Sequence, residues 1–205
     1  VNLGEYQEQN KTFVVAEIGQ AHDGSVGILH SLLEAAAATG GDAVKFQVHI
    51  AHAESSDLEP FRVRFSHVDK TRYDYWRRME LPEKEWIDLK QRCDELGVEF
   101  LATPFSNAAV DLLEKVGVNR YKVGSGDVNN PLLLDRIVRA KKEVILSSGL
   151  SSLDELDSST RQIRDAGCPI AVLQCTTKYP SAAEDVGLEW LNKLRARFQC
   201  PVGLS

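Results

Sequence analysis

Residues 99–127 read EFLATPFSNAAVDLLEKVGVNRYKVGSGD, and this stretch decides the fold. Phe100-Leu101-Ala102 is a short apolar run. Residues 107–116 then place Val110, Leu112 and Leu113 at helical spacing and stop at Gly117, where a left-handed C-terminal cap belongs. Ser106 or Asn107 stands where that helix needs an N-cap. Tyr121-Lys122-Val123 follows as a second short run. Strand, helix and strand in this rhythm predict neighbouring parallel strands joined by a helix.

The rhythm extends both ways. Further strand-like runs are Phe13–Ala16, Ala43–Phe46, Val144–Leu146, Ile170–Leu173 and Val202–Leu204. Helical patterns lie between them. Residues 27–39 place Ile28, Leu32 and Ala36 on one face; residues 83–96 do so with Trp86, Leu89 and Cys93 before Gly97; residues 152–166 carry Leu153, Leu156 and Ile163 before Gly167. The runs are nearly continuous in apolar content, as strands covered on both faces should be. A doubly wound sheet and a β/α barrel both fit this pattern. No GxGxxG follows the first run, and polar residues stand at the carboxyl end of nearly every run instead of at one switch point. The expected class is α/β, a (βα)8 TIM barrel seen here only through strand seven. An eighth strand and two helices are expected beyond Ser205, which makes residues 1–205 an incomplete barrel domain. Between Gln47 and Pro82 no clear strand or helix pattern is evident, but Tyr73-Asp74-Tyr75-Trp76-Arg77-Arg78 is too aromatic for a disordered segment. That excursion reads as a lid over the strand ends or as a packing loop.

A net charge of −6 argues against a nucleic-acid-coating role, since phosphate neutralisation needs a basic face. It leaves room for an anionic small molecule held by a few lysines in a cleft. No apolar run reaches the ~18 residues of a membrane span, and the first residues do not resemble a signal peptide. A cytoplasmic location is expected, with Cys93, Cys168, Cys175 and Cys200 as reduced thiols, since none forms a CxxC pair.

The strand ends carry the chemistry. The first gives Ala16-Glu17-Ile18-Gly19-Gln20, followed by His22 in a glycine-containing turn. The second gives Lys45 and Gln47, two residues apart and therefore on one face. The third ends at Thr103-Pro104-Phe105, the fourth gives Lys122, Ser125 and Asp127, and the fifth ends at Ser147-Ser148-Gly149. The sixth continues through Gln174-Cys175-Thr176-Thr177-Lys178-Tyr179-Pro180, and the seventh ends at Ser205. Lysines inside apolar strands are costly unless paired. Either they match an internal Glu17 or Asp127 without chemistry, or they form an anion site with the neighbouring hydroxyls and backbone amides. His30, His49, His52 and His67 read as surface or loop residues. No histidine pair has the spacing of a helical metal site.

These motifs, in this order, resemble the N-acetylneuraminate (sialic acid) synthase family, which includes legionaminic and pseudaminic acid synthases and spore-coat polysaccharide synthases. The resemblance runs from about residue 12 to the end. It implies a (βα)8 barrel followed by an antifreeze-like domain, in a domain-swapped homodimer. It implies that phosphoenolpyruvate is held by Lys45, Thr103, Lys122, Ser125, Ser147 and Ser205, and that an amino sugar lies near Gln47 and Tyr179. Glu17 would be an acidic group near the reacting centre. A divalent metal, manganese or magnesium, is implied, with both histidine ligands beyond residue 205 and none within this chain. Two positions depart from the family pattern. Gly126-Asp127 stands where Gly-Glu is usual, which shortens the carboxylate by one methylene, and Thr177 stands where Asn is frequent.

The implied reaction condenses phosphoenolpyruvate with an N-acetylated amino sugar, N-acetylmannosamine or a related one, to give a nine-carbon 2-keto acid and phosphate. The metal would polarise the sugar aldehyde. Asp127 or Glu17 would act as base toward water, and Lys45 and Lys122 would offset anionic charge. Two rivals stand beside it: a Schiff-base aldolase using Lys45 or Lys122, and a non-catalytic barrel that binds sugars or anions.

Overall fold

All seven apolar runs are strands in the computed structural model, which describes residues 2–61 and 63–205. In chain order the strands are β1 (Val15–Gly19), β2 (Ala43–Val48), β3 (Glu99–Pro104), β4 (Arg120–Val123), β5 (Glu143–Ser147), β6 (Ile170–Gln174) and β7 (Val202–Leu204). The helices are α1 (Leu3–Glu8), α2 (Val26–Ala38), α3 (Ala51–Glu54), α4 (Arg72–Met79), α5 (Glu83–Leu96), α6 (Asn107–Val116), α7 (Pro131–Arg139), α8 (Leu153–Asp165) and α9 (Glu189–Phe198). The chain divides into two units, residues 14–118 and residues 119–205 together with 2–13.

In the first unit β1, β2 and β3 lie side by side in chain order, and both pairings are parallel. Three parallel strands in unbroken chain order are what the winding of a barrel requires of this unit. Along β2 the residues alternate: Val44, Phe46 and Val48 are buried, whereas Lys45 and Gln47 are partly open. Phe46 stacks on Phe100 at 4.8 Å between ring centroids, and Trp86 from α5 meets both edge-on at 6.2 and 6.3 Å. That aromatic trio joins the outer face of the sheet to its covering helix. Gly97 and Gly117 end α5 and α6 in left-handed conformation, with φ of 73° and 83°. Ser106 Oγ caps α6 by accepting from Ala109 N.

The second unit pairs β4, β5, β6 and β7 in parallel, again in chain order. Every residue of β4 and β5 is buried. At the amino ends of these two strands Arg120 Nη1 donates to Glu143 Oε2 at 2.5 Å, with both side chains under 9% exposed. The α1 segment closes over this pair. Leu3 N donates to Glu143 Oε1 at 3.1 Å, and the Phe13 ring lies 5.0 Å from the Arg120 guanidinium. Sequence patterning did not anticipate α1, whose helix holds one buried residue, Leu3.

Three expectations are corrected. First, α2 buries Leu29 and Leu33, while Ile28 is 48% exposed. Its neighbouring apolar residues make the helical phase ambiguous by one position. Second, the first strand begins at Val15, and Phe13 and Val14 lie outside it. Third, the segment between Gln47 and Pro82 contains two helices, α3 and α4. Helix α4 starts with a reciprocal capping box, in which Thr71 Oγ1 accepts from Asp74 N while Thr71 N donates to the Asp74 carboxylate. Its sequence RYDYWRRM is too polar for an apolar period to show, and its stability comes from tertiary contacts. Arg78 donates to both oxygens of Asp69 and, from Nη1, to Asp23 Oδ1 at 2.6 Å. The Arg78 hydrogen bonds hold the buried Asp69 carboxyl below its usual range, and Ser66 adds to this. Gly24 completes the junction, since with φ of 79° a side-chain carbon there would fall 2.4 Å from the Arg78 carbonyl oxygen. Helix α4 of the excursion is thus pinned to the turn after β1.

Candidate active site

In the unit of residues 14–118, Glu17 and Lys45 are register partners on β1 and β2, and their side chains form an ion pair. The Lys45 side chain is 13% exposed and the Glu17 side chain 46%. The lysine therefore has a carboxylate partner. The β1 register slips between Glu17 and Gly19, with Gly19 at φ 55°, so the chain bends just beyond the carboxylate. Gln47 is aligned with buried Thr103 on β3. Gln47 Oε1 accepts from Gln20 Nε2 at 3.1 Å and lies 3.3 Å from His49 Nε2.

His49 is the main correction here. It is 4% exposed, not a surface residue. Its ring is sandwiched between Trp76 of α4 and Phe105 after β3, at centroid distances of 3.9 and 4.2 Å and nearly parallel. Its Nδ1 lies 2.8 Å from Glu54 Oε1. The clue was available in the sequence: Lys45, Gln47 and His49 continue one period-two face. His30 is half-buried, and His52 and His67 are exposed.

His22 is also buried, and its Nδ1 accepts from Gly24 N at 3.1 Å. Burial pushes its imidazole below the ordinary value of 6.5; Asp23 opposes the shift and His49 reinforces it. The unfolded chain therefore binds this proton more readily than the folded one. Its contribution is complete above the ordinary value and falls as pH drops below it. The urea midpoint of the wild type is expected to decline between about pH 7.5 and 5.5, and His22→Asn, which keeps an acceptor for Gly24 N, to flatten that slope. Equal slopes in the two proteins would contradict this account.

In the second unit Lys122 is 4% exposed on β4, and its ammonium donates to Ser147 Oγ at 2.5 Å and to Val123 O at 3.0 Å. Ser147 is buried at the carboxyl end of β5. Ser125 and Asp127 occupy the short 3-10 turn after β4, and Asp127 Oδ1 accepts from Asn130 Nδ2 at 3.2 Å. Ser148, named only within its motif at first, proves structural as well as polar: its buried hydroxyl accepts from Cys175 N at 3.2 Å. Gly149 has φ of 113°, and a side-chain carbon there would sit 2.9 Å from the Cys175 carbonyl oxygen, so the turns after β5 and β6 meet at that point. Ser205 is held by its backbone, which donates to Gln174 O at 2.8 Å. Thr177 and Tyr179 do not join this cluster. Thr177 is exposed, and Tyr179 is 92% exposed, preceding a cis proline peptide. Three of the four cysteines are buried, and all are free; burial pushes the Cys93 thiol up to about 12.

Among the described residues no three His, Cys, Asp or Glu side chains converge as a metal-binding group. None of the described helices is long and apolar enough to cross a membrane. A family model described as the NeuB family matches residues 32–205.

The chain belongs to the NeuB family.

Three similarities give that membership detail. An uncharacterized protein of Methanocaldococcus jannaschii is 34% identical across 95% of this chain and 55% of its own length. The N,N'-diacetyllegionaminic acid synthase of Campylobacter jejuni is 31% identical across 95% of this chain and 60% of its own. Among solved structures, the N-acetylneuraminic acid (sialic acid) synthetase of Leptospira borgpetersenii, crystallised with citrate, superposes with a TM-score of 0.81 at 25% identity. That match covers 94% of this chain and 64% of the solved one. This NeuB family chain thus spans little more than half the length of the curated relatives it matches.

Proposed function

We propose that this chain carries the phosphoenolpyruvate-handling part of a C–C bond-forming transferase of the sialic acid synthase type. Such an enzyme joins phosphoenolpyruvate to an N-acetylated amino sugar, giving a nine-carbon 2-keto acid and phosphate. The observation that carries this reading is the Lys122 cluster. A buried ammonium at a strand end, directed onto the Ser147 hydroxyl, is arranged for an anion in a chain of the NeuB family. The names of the relatives support the reaction class.

In this reading Lys45, Thr103, Lys122, Ser125, Ser147 and Ser205 bind the phosphate and carboxylate of phosphoenolpyruvate. Gln47 and Tyr179 face the sugar, with Thr177 beside them. Carbon 3 of phosphoenolpyruvate forms the new bond to the sugar aldehyde carbon, whose oxygen gains a proton. Water adds to carbon 2, giving up its proton to Asp127 or Glu17. The carbon–oxygen bond to phosphate then breaks as the new hydroxyl gives its proton to the departing phosphate, leaving the ketone. The lysines offset anionic charge throughout, an electrostatic role that is strongest where water is excluded. A divalent metal, manganese or magnesium, a C-terminal antifreeze-like domain, a domain-swapped homodimer and a cytoplasmic location belong to the same proposal.

The test uses the full-length protein with manganese, phosphoenolpyruvate, and N-acetylmannosamine or a deoxy-diacetamido hexose. Stoichiometric release of phosphate and a new 2-keto acid is the expected result. Borohydride trapping of a covalent lysine adduct with a keto acid would replace this reading with the aldolase. Binding of phosphoenolpyruvate with no condensation would replace it with a non-catalytic barrel.

A further inference from the structure

We propose that His49, held by Glu54, is a positioning residue that locks one end of the Gln47 amide and so determines which end is offered to the amino sugar. The proposal rests on the reading above that Gln47 faces the sugar.

The geometry is that of a relay. Glu54, 7% exposed at its side chain, is acceptor-only when ionised, so the Nδ1 that it faces at 2.8 Å carries hydrogen. The opposite nitrogen, Nε2, faces the Gln47 amide at 3.3 Å, and the same amide atom meets Gln20 at 3.1 Å. A ring with two protons donates to the Gln47 carbonyl oxygen; a ring with one proton accepts from the amide nitrogen turned to the same place. The proton count of the ring thus sets which end is committed, the oxygen with two protons and the nitrogen with one. One end of the Gln47 amide is committed to His49 and Gln20, and only the other end is left for a ligand. A glutamine amide free to turn over could offer either a donor or an acceptor, so fixing it turns an indifferent contact into a selective one.

The ring cannot swing away from this task. It is stacked on Trp76 and Phe105, its side chain is 2% exposed, and Arg72 lies over the far ring, 5.4 Å from the Trp76 centroid. Trp76 belongs to α4, which the Arg78 contacts with Asp69 and Asp23 pin in place. The insertion between β2 and α5 therefore reaches the strand-end amide through a single imidazole. This gives that insertion a purpose beyond packing.

The test is a cycle in the full-length protein. His49→Phe keeps the stack and removes both ring nitrogens. It is expected to raise KM for the amino sugar about tenfold, the cost of one hydrogen bond of ~1.4 kcal/mol, with kcat and KM for phosphoenolpyruvate within about twofold of wild type. Gln47→Ala should raise the same KM, and His49→Phe added to it should change nothing further beyond about twofold. Additive effects, an unchanged sugar KM, or equal changes in both KM values would overturn the proposal. Glu54→Gln, which leaves the core volume intact, should shift the sugar KM in the same direction and guards against a folding defect in the first variant. If the wild type condenses no amino sugar, the functional reading fails, and the relay is judged by the Gln47 side-chain amide signals in 15N spectra. Those signals should move in both His49→Phe and Glu54→Gln; if they stay where they are, the relay is refuted.

Discussion

On the function proposed above, replacing Lys122 with methionine in the full-length protein is expected to lower kcat/KM for phosphoenolpyruvate by about 10²–10³-fold, the usual cost of removing one preorganised donor to developing charge. Methionine nearly matches the volume of the lysine stem, so the apolar surroundings on β4, where Tyr121 and Val123 are buried, should stay packed. What is lost is the ammonium that sits on Ser147 Oγ. Steady-state kinetics with phosphoenolpyruvate varied, beside a melting curve for the variant, separates lost chemistry from lost fold. Full turnover would remove Lys122 from the anion site. Loss of turnover in a protein that melts like the wild type would establish it there, because a merely structural lysine at 4% exposure is more readily replaced by an apolar side chain than kept.

The second large effect concerns stability. Glu143→Leu is expected to destabilise the protein by about 3–5 kcal/mol, because it removes a buried carboxylate that receives hydrogen bonds from both Arg120 and Leu3 N. The Arg120 and Glu143 side chains are 5% and 8% exposed and 2.5 Å apart. Glu143→Gln, which keeps a side-chain acceptor for Arg120 and Leu3 N, should lose less than Glu143→Leu. Urea denaturation of the two variants and the wild type measures the difference. Glu143→Leu within about 1 kcal/mol of wild type would show that this carboxylate carries little of the stability. This pair lies at the amino ends of β4 and β5, at the other end of these strands from Ser147, where a barrel concentrates stability and not chemistry.

The separation of the two ends was legible in the sequence from one side only. The polar carboxyl ends stood out because Lys45, Lys122, Thr103 and Ser147 interrupt otherwise apolar runs. Arg120 and Glu143 bound the same runs, but a charge at the edge of a strand usually means a solvated turn, and nothing local distinguishes a buried pair from two exposed ends. The partner is 23 residues away and meets Arg120 only through parallel pairing of β4 with β5. The same limit hid the environment of His49. Its place on the Lys45–Gln47 face could be counted, but Trp76 and Phe105, which enclose it, arrive from a separate helix and a separate strand end. Helix α4 was hidden for a different reason. A helix of charged and aromatic residues has no apolar period, and its Thr71–Asp74 capping box was the only local mark.

The opposite case is α5. Trp86, Leu89 and Cys93 were read as its buried face and Gly97 as its stop, and all four hold in the structure, because period and cap are both local properties. Leu29 and Leu33 in α2 show where local reading slips: with apolar residues at adjacent positions, only the sheet beneath decides which of two neighbouring stripes is covered.

By itself, then, the sequence determined the strand–helix alternation, the glycine-capped helix ends, the class of fold and the polar character of the strand ends. These follow from side-chain period, backbone dihedral preference and the cost of placing lysine in an apolar run, all properties of residues close together in the chain. Only the tertiary structure decided that Glu17 is paired with Lys45, that Lys122 is buried against Ser147, and that His49 is enclosed and bound to Gln47 and Glu54. Burial and partnership are set by segments that meet through folding, and no local pattern encodes the identity of the residue that arrives from the next strand.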